Sequence, residues 1–370
     1  MGVRDTVNRG RIVAIERPDV FLVWVLGAAL VVDLLWGLAT GGIAFSTLAS
    51  NVWDGIMRGL VIGLAGIGLS MTYSILNFAN FAHGDYITAG AFAGWSVTYL
   101  ITGFGEYDLG ALVLVGPKSN VTGTIIGIGV VSTPLAVLAG LLVAGAATIA
   151  LALLVDRYVY RPLRDEGGIT LLITSIGVAF ALRYLIAFVF DSSTRTTAGT
   201  TGNPAVRLNF VDGTVRVSSH DVTLVVVSVG LMLGVHYLLQ RTKLGKAMRA
   251  MADNEDLARV TGIPTERVVR STWIIGGGLT GFAGFMLVLW KETIRFNDGW
   301  LLLLLIFAAV IMGGIGSIYG AIAGGLIIGI VASTSVIWVP SGLTEATAFL
   351  VMILVLLFRP EGIFSGRSTA

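Results

Sequence analysis

The stretch RTKLGKAMRAMADNEDLARVTGIPTERVVR, residues 241–270, is the one long segment where charges crowd together in an otherwise oily chain. Seven Lys/Arg fall in it, mixed with Asp253, Glu255, Asp256 and Glu266. A very short helix is predicted at its centre. Asp253 or Asn254 caps its start, because a short side-chain acceptor meets the free N–H groups of a first turn. Leu257, Ala258 and Val260 form its body, Gly262 offers a left-handed stop, and Pro264 forbids continuation. Two turns of helix do not hold alone in water, so neighbours must hold this one. The small Ala258 suggests that a partner comes close. The plainer alternative is a charged loop between two membrane spans.

Around this stretch the composition is that of a membrane protein. Hydrophobic residues make up 55% of the 370 and charged residues 12%, against about 25% charged in a soluble domain. Mean hydropathy is +0.88. A soluble chain of this size has too little interior for so many apolar side chains. The net charge of +2 implies no nucleic-acid partner. With no cysteine, disulfides, thiolate metal sites and cysteine nucleophiles are excluded. Three histidines, at 83, 220 and 236, are too few and too scattered for a metal cluster.

Taken in order, the apolar runs predict an all-α polytopic membrane protein with about ten transmembrane helices. They cover residues 21–38, 51–73, 87–101, 134–158, 169–190, 222–239, 272–290, 300–312, 321–339 and 346–358. The first follows Arg4, Arg9, Arg11 and Arg17 and is too long for a signal peptide. Glycines 55, 59 and 63 form one small-residue stripe for close helix contact. Residues 102–132 form a Gly-rich loop, of which 125–131 dips back toward the membrane. In 191–220, Asp212-Gly213 between two β-rich runs signals a hairpin. With an inside amino terminus, sixteen of the 24 Lys/Arg fall on inside segments and six on outside ones. The positive-inside rule therefore puts both termini and residues 241–270 in the cytoplasm.

Few motifs carry chemistry. Gly276 to Gly281 fits GxGxxG but lies inside an apolar run, so it reads as helix packing. There is no P-loop, no Ser/His/Asp set at a useful spacing, and hence no catalytic residue or cofactor site. Asn120-Val121-Thr122 matches a glycosylation triplet and reads as a chance occurrence. Asn80-Phe81-Ala82-His83-Gly84-Asp85 is the sharpest polar motif, squeezed between two apolar runs. Non-helical backbone at membrane depth is tolerated only inside protein or beside a wet cavity. The functional reading makes Asn80, Phe81, His83, Gly84 and Asp85 part of a permeation path or its gate. The structural one makes them a helix break capped by Asp85. MGGIGSIYG at 312–320 echoes this break in the second half, which adds Gly313, Gly314 and Gly316 to the candidate path. Arg183 is the deepest unpaired cation and should face the interior or snorkel outward. Asp54 and Arg58 are expected to pair with each other. Asp33 receives no role.

Five segments in order resemble the LivH-type permeases of branched-chain amino acid ABC importers. TYSILNFANFAHGDYITAGAF resembles the family's INFAHGE/D segment, and DRYVYRPLR at 156–164 its ERxxYRPLR. LLITSIGVAFALR at 171–183 is similar to its SIG-containing span. KLGKAMRAMADNEDLARVTGI at 243–263 resembles its coupling segment, and AAVIMGGIGSIYGAIAGG at 308–325 its AVLGGIGSxxGAxxGG. Together they span about residues 52–364. The chain departs in an amino-terminal extension with an extra span, residues 1–50, and in the longer 102–132 loop.

The resemblance implies a type II ABC importer-like permease domain over 51–364, followed by a cytoplasmic tail, 365–370. It implies a second related permease subunit as heterodimer partner, two cytoplasmic ABC ATPases and an external solute-binding protein, all around a body set in lipid. ATP hydrolysis would belong to the ATPases, docked on 241–270 through Arg249, Ala250, Asp253, Asn254, Glu255, Asp256, Ala258 and Gly262. The same mechanism could carry urea or short amides. An ion-coupled secondary transporter is the rival; it should show ion ligands or paired acidic residues within spans, and only Asp33, Asp54 and Asp85 are available.

Overall fold

The computed structural model describes residues 18–102, 127–197 and 203–364. Apolar runs become helices because a helix satisfies its own backbone hydrogen bonds, as lipid requires. The order is α1 (Pro18–Thr40), α2 (Phe45–Leu76), α3 (His83–Thr102), α4 (Pro134–Val155) and α5 (Gly168–Phe190). Then come α6 (Ser219–Arg241), α7 (Lys243–Asp253), α8 (Glu255–Val260) and α9 (Thr265–Lys291). The chain closes with α10 (Asp298–Gly313), α11 (Ile318–Thr334) and α12 (Thr344–Phe358). Every expected span falls on a helix. Among the described residues, seven helices are long and apolar enough to cross a membrane. Val25–Thr40 and Asp298–Gly313 are apolar but shorter, and α3, studded with polar residues, stands outside that set.

At the centre lie α2 and α9, mostly buried; α5, α6 and α12 keep most of their surface open. An apolar face left open is what a lipid-facing helix shows. The glycine stripe on α2 does what its spacing predicts. A Cβ on Gly59 would sit 2.8 Å from Leu326 Cα, and one on Gly329 of α11 would sit 2.4 Å from Gly55 O. Backbone meets backbone along this seam, which only glycine permits. Gly281 of α9 is likewise pressed on Ala144 of α4, where a Cβ would lie 2.4 Å from its carbonyl oxygen. The GxGxxG run is therefore packing, as expected.

The hairpin forms as predicted: β2 (Ala205–Phe210) pairs antiparallel with β3 (Gly213–Ser218), following a short β1 (Arg195–Thr196) that pairs with β4 (Thr293–Ile294). Asp212 at its tip accepts from the N–H groups of Phe45 and Ser46, so it caps α2 from a distance. Phe45 and Phe210 meet edge to face at 5.3 Å. Residues 127–133 are not helical, and Ile128 N–H bonds the Thr197 carbonyl at 2.9 Å. The Asn120 triplet and residues 125–126 lie outside the described residues.

One expected pairing changes, and a residue given no role finds a partner. Arg58 bonds Glu345 at 2.9 Å, not Asp54. A residue 287 positions away wins because α12 returns beside α2, which a spacing rule within one helix does not see. Asp33 accepts from Trp338 Nε1 at 2.8 Å, joining α1 to the turn after α11.

Candidate functional site

The polar break begins where Asn77 turns left-handed (φ 52°) and stops α2. Asn80 then organises the turn, since its Oδ1 accepts from Ala82 N–H and from the Tyr160 hydroxyl, each at 3.1 Å. Phe81 N–H donates to Ser175 Oγ of α5 at 3.0 Å. His83 Nε2 lies 2.9 Å from the Ala65 carbonyl. A carbonyl oxygen can only accept, so Nε2 carries the proton. Ala65 is eleven residues above Leu76, about 16 Å at 1.5 Å per residue. The break therefore climbs deep into the bundle before α3 starts.

Asp85 does not cap α3. It sits within the first turn and makes a bidentate pair with Arg183 of α5, Nε–Oδ1 3.1 Å and Nη2–Oδ2 3.0 Å. The side chains are 0% and 9% exposed, so the expected unpaired cation is paired. Capping loses because an Asp–Arg contact inside apolar surroundings relieves two costly buried charges at once. Arg183 also lies 4.2 Å from the Trp300 ring and 5.2 Å from that of Phe180. Beside the pair, α3 and α10 begin back to back. A Cβ on Gly84 would lie 2.7 Å from Gly299 O, and Gly299 N–H donates to Thr88 Oγ1 at 3.1 Å.

Gly313, Gly314 and Gly316 are placed elsewhere. They turn α10 into α11 at positive φ (103° at Gly314, 87° at Gly316), and Ser317 caps the new helix through Gly320 N–H at 3.0 Å. The chain's last described residues clamp this turn, Ile363 N–H to Met312 O at 2.9 Å and Phe364 N–H to Gly313 O at 3.0 Å. A Cβ on Gly316 would come within 3.1 Å of Ser74 Oγ, near the end of α2. The echo in sequence is thus two turns at different levels: one beside the end of α2, the other deep at His83.

The charged stretch holds two whole helices, α7 and α8, and the first turns of α9. Thr242 caps α7 through Gly245 N–H at 3.1 Å, and Met248 and Met251 face inward. Arg249 folds back to donate to the Leu239 carbonyl, placing a cation at the end of α6. Asn254, not Asp253, caps α8, accepting from Leu257 N–H at 2.9 Å; Asp253 ends α7. Gly262 takes its left-handed turn (φ 87°), and Ile263 N–H closes on the Ala258 carbonyl at 3.0 Å. Ala258 is 3% exposed and faces the chain's own body, whereas Leu257 (61%) and Val260 (85%) point outward. The small residue thus seats α8 on its own chain, and the surface free for a partner is the apolar pair beside it. Glu255 pairs with Arg259 on that exposed face at 2.9 Å, while Ala250 is partly buried and Asp256 open.

A polar link joins the two sites. After α4, a π-type turn (Asp156–Tyr160) and a 3₁₀ turn (Arg161–Glu166) carry the YRPLR motif. Arg164 bonds both Asp156 and Glu266, the latter at 2.9 Å on the first turn of α9. Tyr160, fully buried, stacks on Trp273 (5.6 Å, 18°) and reaches Asn80. A cleft of about 370 Å³ opens between this loop and α8, lined among others by Arg161, Arg164, Glu255, Arg259 and Glu266. Sequence reasoning missed Tyr160, Arg164 and Trp300. For Arg183 the signal was present: one deep acid and one deep base in facing spans.

With this geometry in hand, residues 51–358 match the family described as branched-chain amino acid transport system, permease component. The permease protein BraD of a high-affinity branched-chain amino acid transport system in Pseudomonas aeruginosa is 29% identical, over 84% of this chain and 93% of the relative. LivH of Escherichia coli, named likewise, is 27% identical over 86% and 96%. A probable branched-chain amino acid transport permease protein LivH of Methanocaldococcus jannaschii is 29% identical over 81% and 87%. No solved structure matches the chain.

Proposed function

The chain belongs to the branched-chain amino acid transport system permease family, and from that premise we propose that it is the membrane-spanning subunit of an ABC importer for branched-chain amino acids. In this reading about ten helices span the cell membrane, the extra one within an amino-terminal extension of residues 1–50. Both termini and residues 241–270 lie in the cytoplasm. A second related permease completes the path, two ATPases dock on α7–α8, and an external solute-binding protein delivers cargo. ATP is bound and hydrolysed by those partners; this chain contributes the path and the mechanical link.

The observation that carries the reading is the family match over residues 51–358. The structure supports the division of labour. A short capped helix with two exposed apolar residues is suited to sit in a groove on a partner, since its inward Ala258 already anchors it. Across the cleft beside it, Glu266 binds Arg164 and Arg164 binds Asp156, while Tyr160, at the other end of the same π-type turn, bonds Asn80 in the break. Motion imposed on α8 reaches the start of α3 without crossing lipid. The names of the relatives favour branched-chain amino acids over urea or short amides as cargo.

The test is uptake. Tagged full chain, purified from the cells that make it, should bring down two ATP-binding-cassette subunits and a second permease. Reconstituted with its binding protein, the complex should carry leucine, isoleucine or valine only when ATP is supplied on the α8 side. Co-purification of no ATPase, or leucine flux driven by an ion gradient without ATP, refutes the reading.

A further inference from the structure

The Asp85–Arg183 pair has features that a simple staple between α3 and α5 does not need. It lies beside the point where two helices begin at depth, Gly84 of α3 packed on Gly299 of α10. Helix starts carry partial positive charge, and broken helices aim such ends at anionic groups of transported molecules. Arg183 uses Nε and Nη2 on Asp85, which leaves Nη1 outside the pair. Its guanidinium plane is covered by Trp300 and Phe180. Phe81 packs on Trp300 and Phe307, at 6.5 and 5.1 Å between ring centres. None of these four rings is fully buried, and Phe180 is 44% exposed, so the pair lies just under a partly open aromatic face.

Opposite charges beside apolar rings match one kind of molecule, a zwitterion with an apolar side chain. We propose that Asp85 and Arg183 form the head-group site for an amino acid inside the membrane, resting on the permease reading above. The cargo exchanges with the pair: its carboxylate takes the guanidinium at the start of α3, and its ammonium takes the Asp85 carboxylate. Its side chain lies against Phe81, Phe180, Trp300 and Phe307. Both end states leave every charge paired, which is what an apolar interior demands. In the absence of cargo the two residues satisfy each other and the site is shut.

The chain has no cysteine, so Leu304→Cys gives it a single thiol, read on this chain's own gel band; Leu304 is 41% exposed and one helical turn beyond Trp300. In the purified complete transporter, saturating leucine should slow labelling by a thiol reagent about threefold or more, with closure over the site as the cause. The uncharged analogue isocaproamide should give no protection. In the Asp85→Asn/Arg183→Gln background, which removes both charges and leaves two amides able to hydrogen-bond, protection should vanish while abundance and ATPase co-purification stay normal. Should that double variant fail to assemble, Arg183→Lys decides: charge is kept but the two-pronged grip is lost, so the half-protecting leucine concentration should rise about tenfold. An unaltered transporter that carries no leucine overturns the cargo reading and this site with it. One that carries leucine, yet shows unchanged protection in the neutral or Lys background, overturns the site alone.

Discussion

Tyr160 donates its hydroxyl hydrogen to Asn80 Oδ1 across 3.1 Å and 80 residues of chain, so the loop after α4 holds the break before α3. The same ring stacks on Trp273 and meets Phe78 edge to face at 5.3 Å. Tyr160→Phe keeps both ring contacts and removes one hydrogen bond, worth roughly 0.5–1.5 kcal/mol. Abundance and ATPase binding should be normal, while leucine carried per ATP hydrolysed falls several-fold. An unchanged ratio would mean that the bond is structural only.

Leu257 and Val260 are the outward apolar residues of α8. Leu257→Asp and Val260→Asp place a charge where a partner groove would have to desolvate it, costing several kcal/mol of association. Neither touches the inward face, so the permease should reach the membrane at its usual level. ATPase co-purification should drop at least tenfold. Ala258→Trp acts differently, because Ala258 is packed inside the chain: it should lower stability by about 1–3 kcal/mol through overpacking.

At Gly84 a side-chain carbon has no room, with Gly299 O at 2.7 Å and Leu303 Cβ at 3.0 Å from its ideal position. Gly84→Ala should therefore separate the starts of α3 and α10 and cost about 1–3 kcal/mol. The heat-inactivation midpoint in detergent should fall, and uptake should fall more than protein level. Wild-type uptake and midpoint would show that the two helices slide apart freely.

Sidedness is readable because the chain is free of cysteine. Val211 at the hairpin tip is fully exposed, and Val260 is 85% exposed at the opposite, charged end. In intact cells an impermeant thiol reagent should label Val211→Cys, and label Val260→Cys only after permeabilisation. The reverse pattern would invert the orientation drawn from the Lys/Arg distribution.

Helix positions were legible because apolar run length and charge placement act locally: the glycine stripe, the Asp212-Gly213 hairpin and the Gly262 stop all form where their spacing put them. Partners across the fold were not. Arg58 pairs with Glu345 and Asp33 with Trp338 because distant helices return beside them, and no local rule reports that. Polarity placed the break at 80–85, whereas it runs from Asn77 to Ala82 and the next helix already starts at His83; its organiser, Tyr160, looked like an ordinary aromatic near a span end. Asp85 resembled a helix cap and Arg183 an unpaired cation; only the fold, which sets α5 beside the start of α3, shows that they pair.

The seam between α2 and α11 has a consequence for synthesis. Gly55 and Gly329 touch backbone to backbone, yet about 270 residues separate them, which a ribosome working at 5–20 residues per second spans in roughly 14–55 s. For that interval α2 sits in the bilayer with its bare glycine strip turned to lipid or to a temporary attendant. The central helix of the molecule is thus inserted early and completed late. A nascent chain that stops before Ile318 never covers the strip, and it leaves in the membrane an adhesive surface for wrong helices and a mark for quality-control proteases.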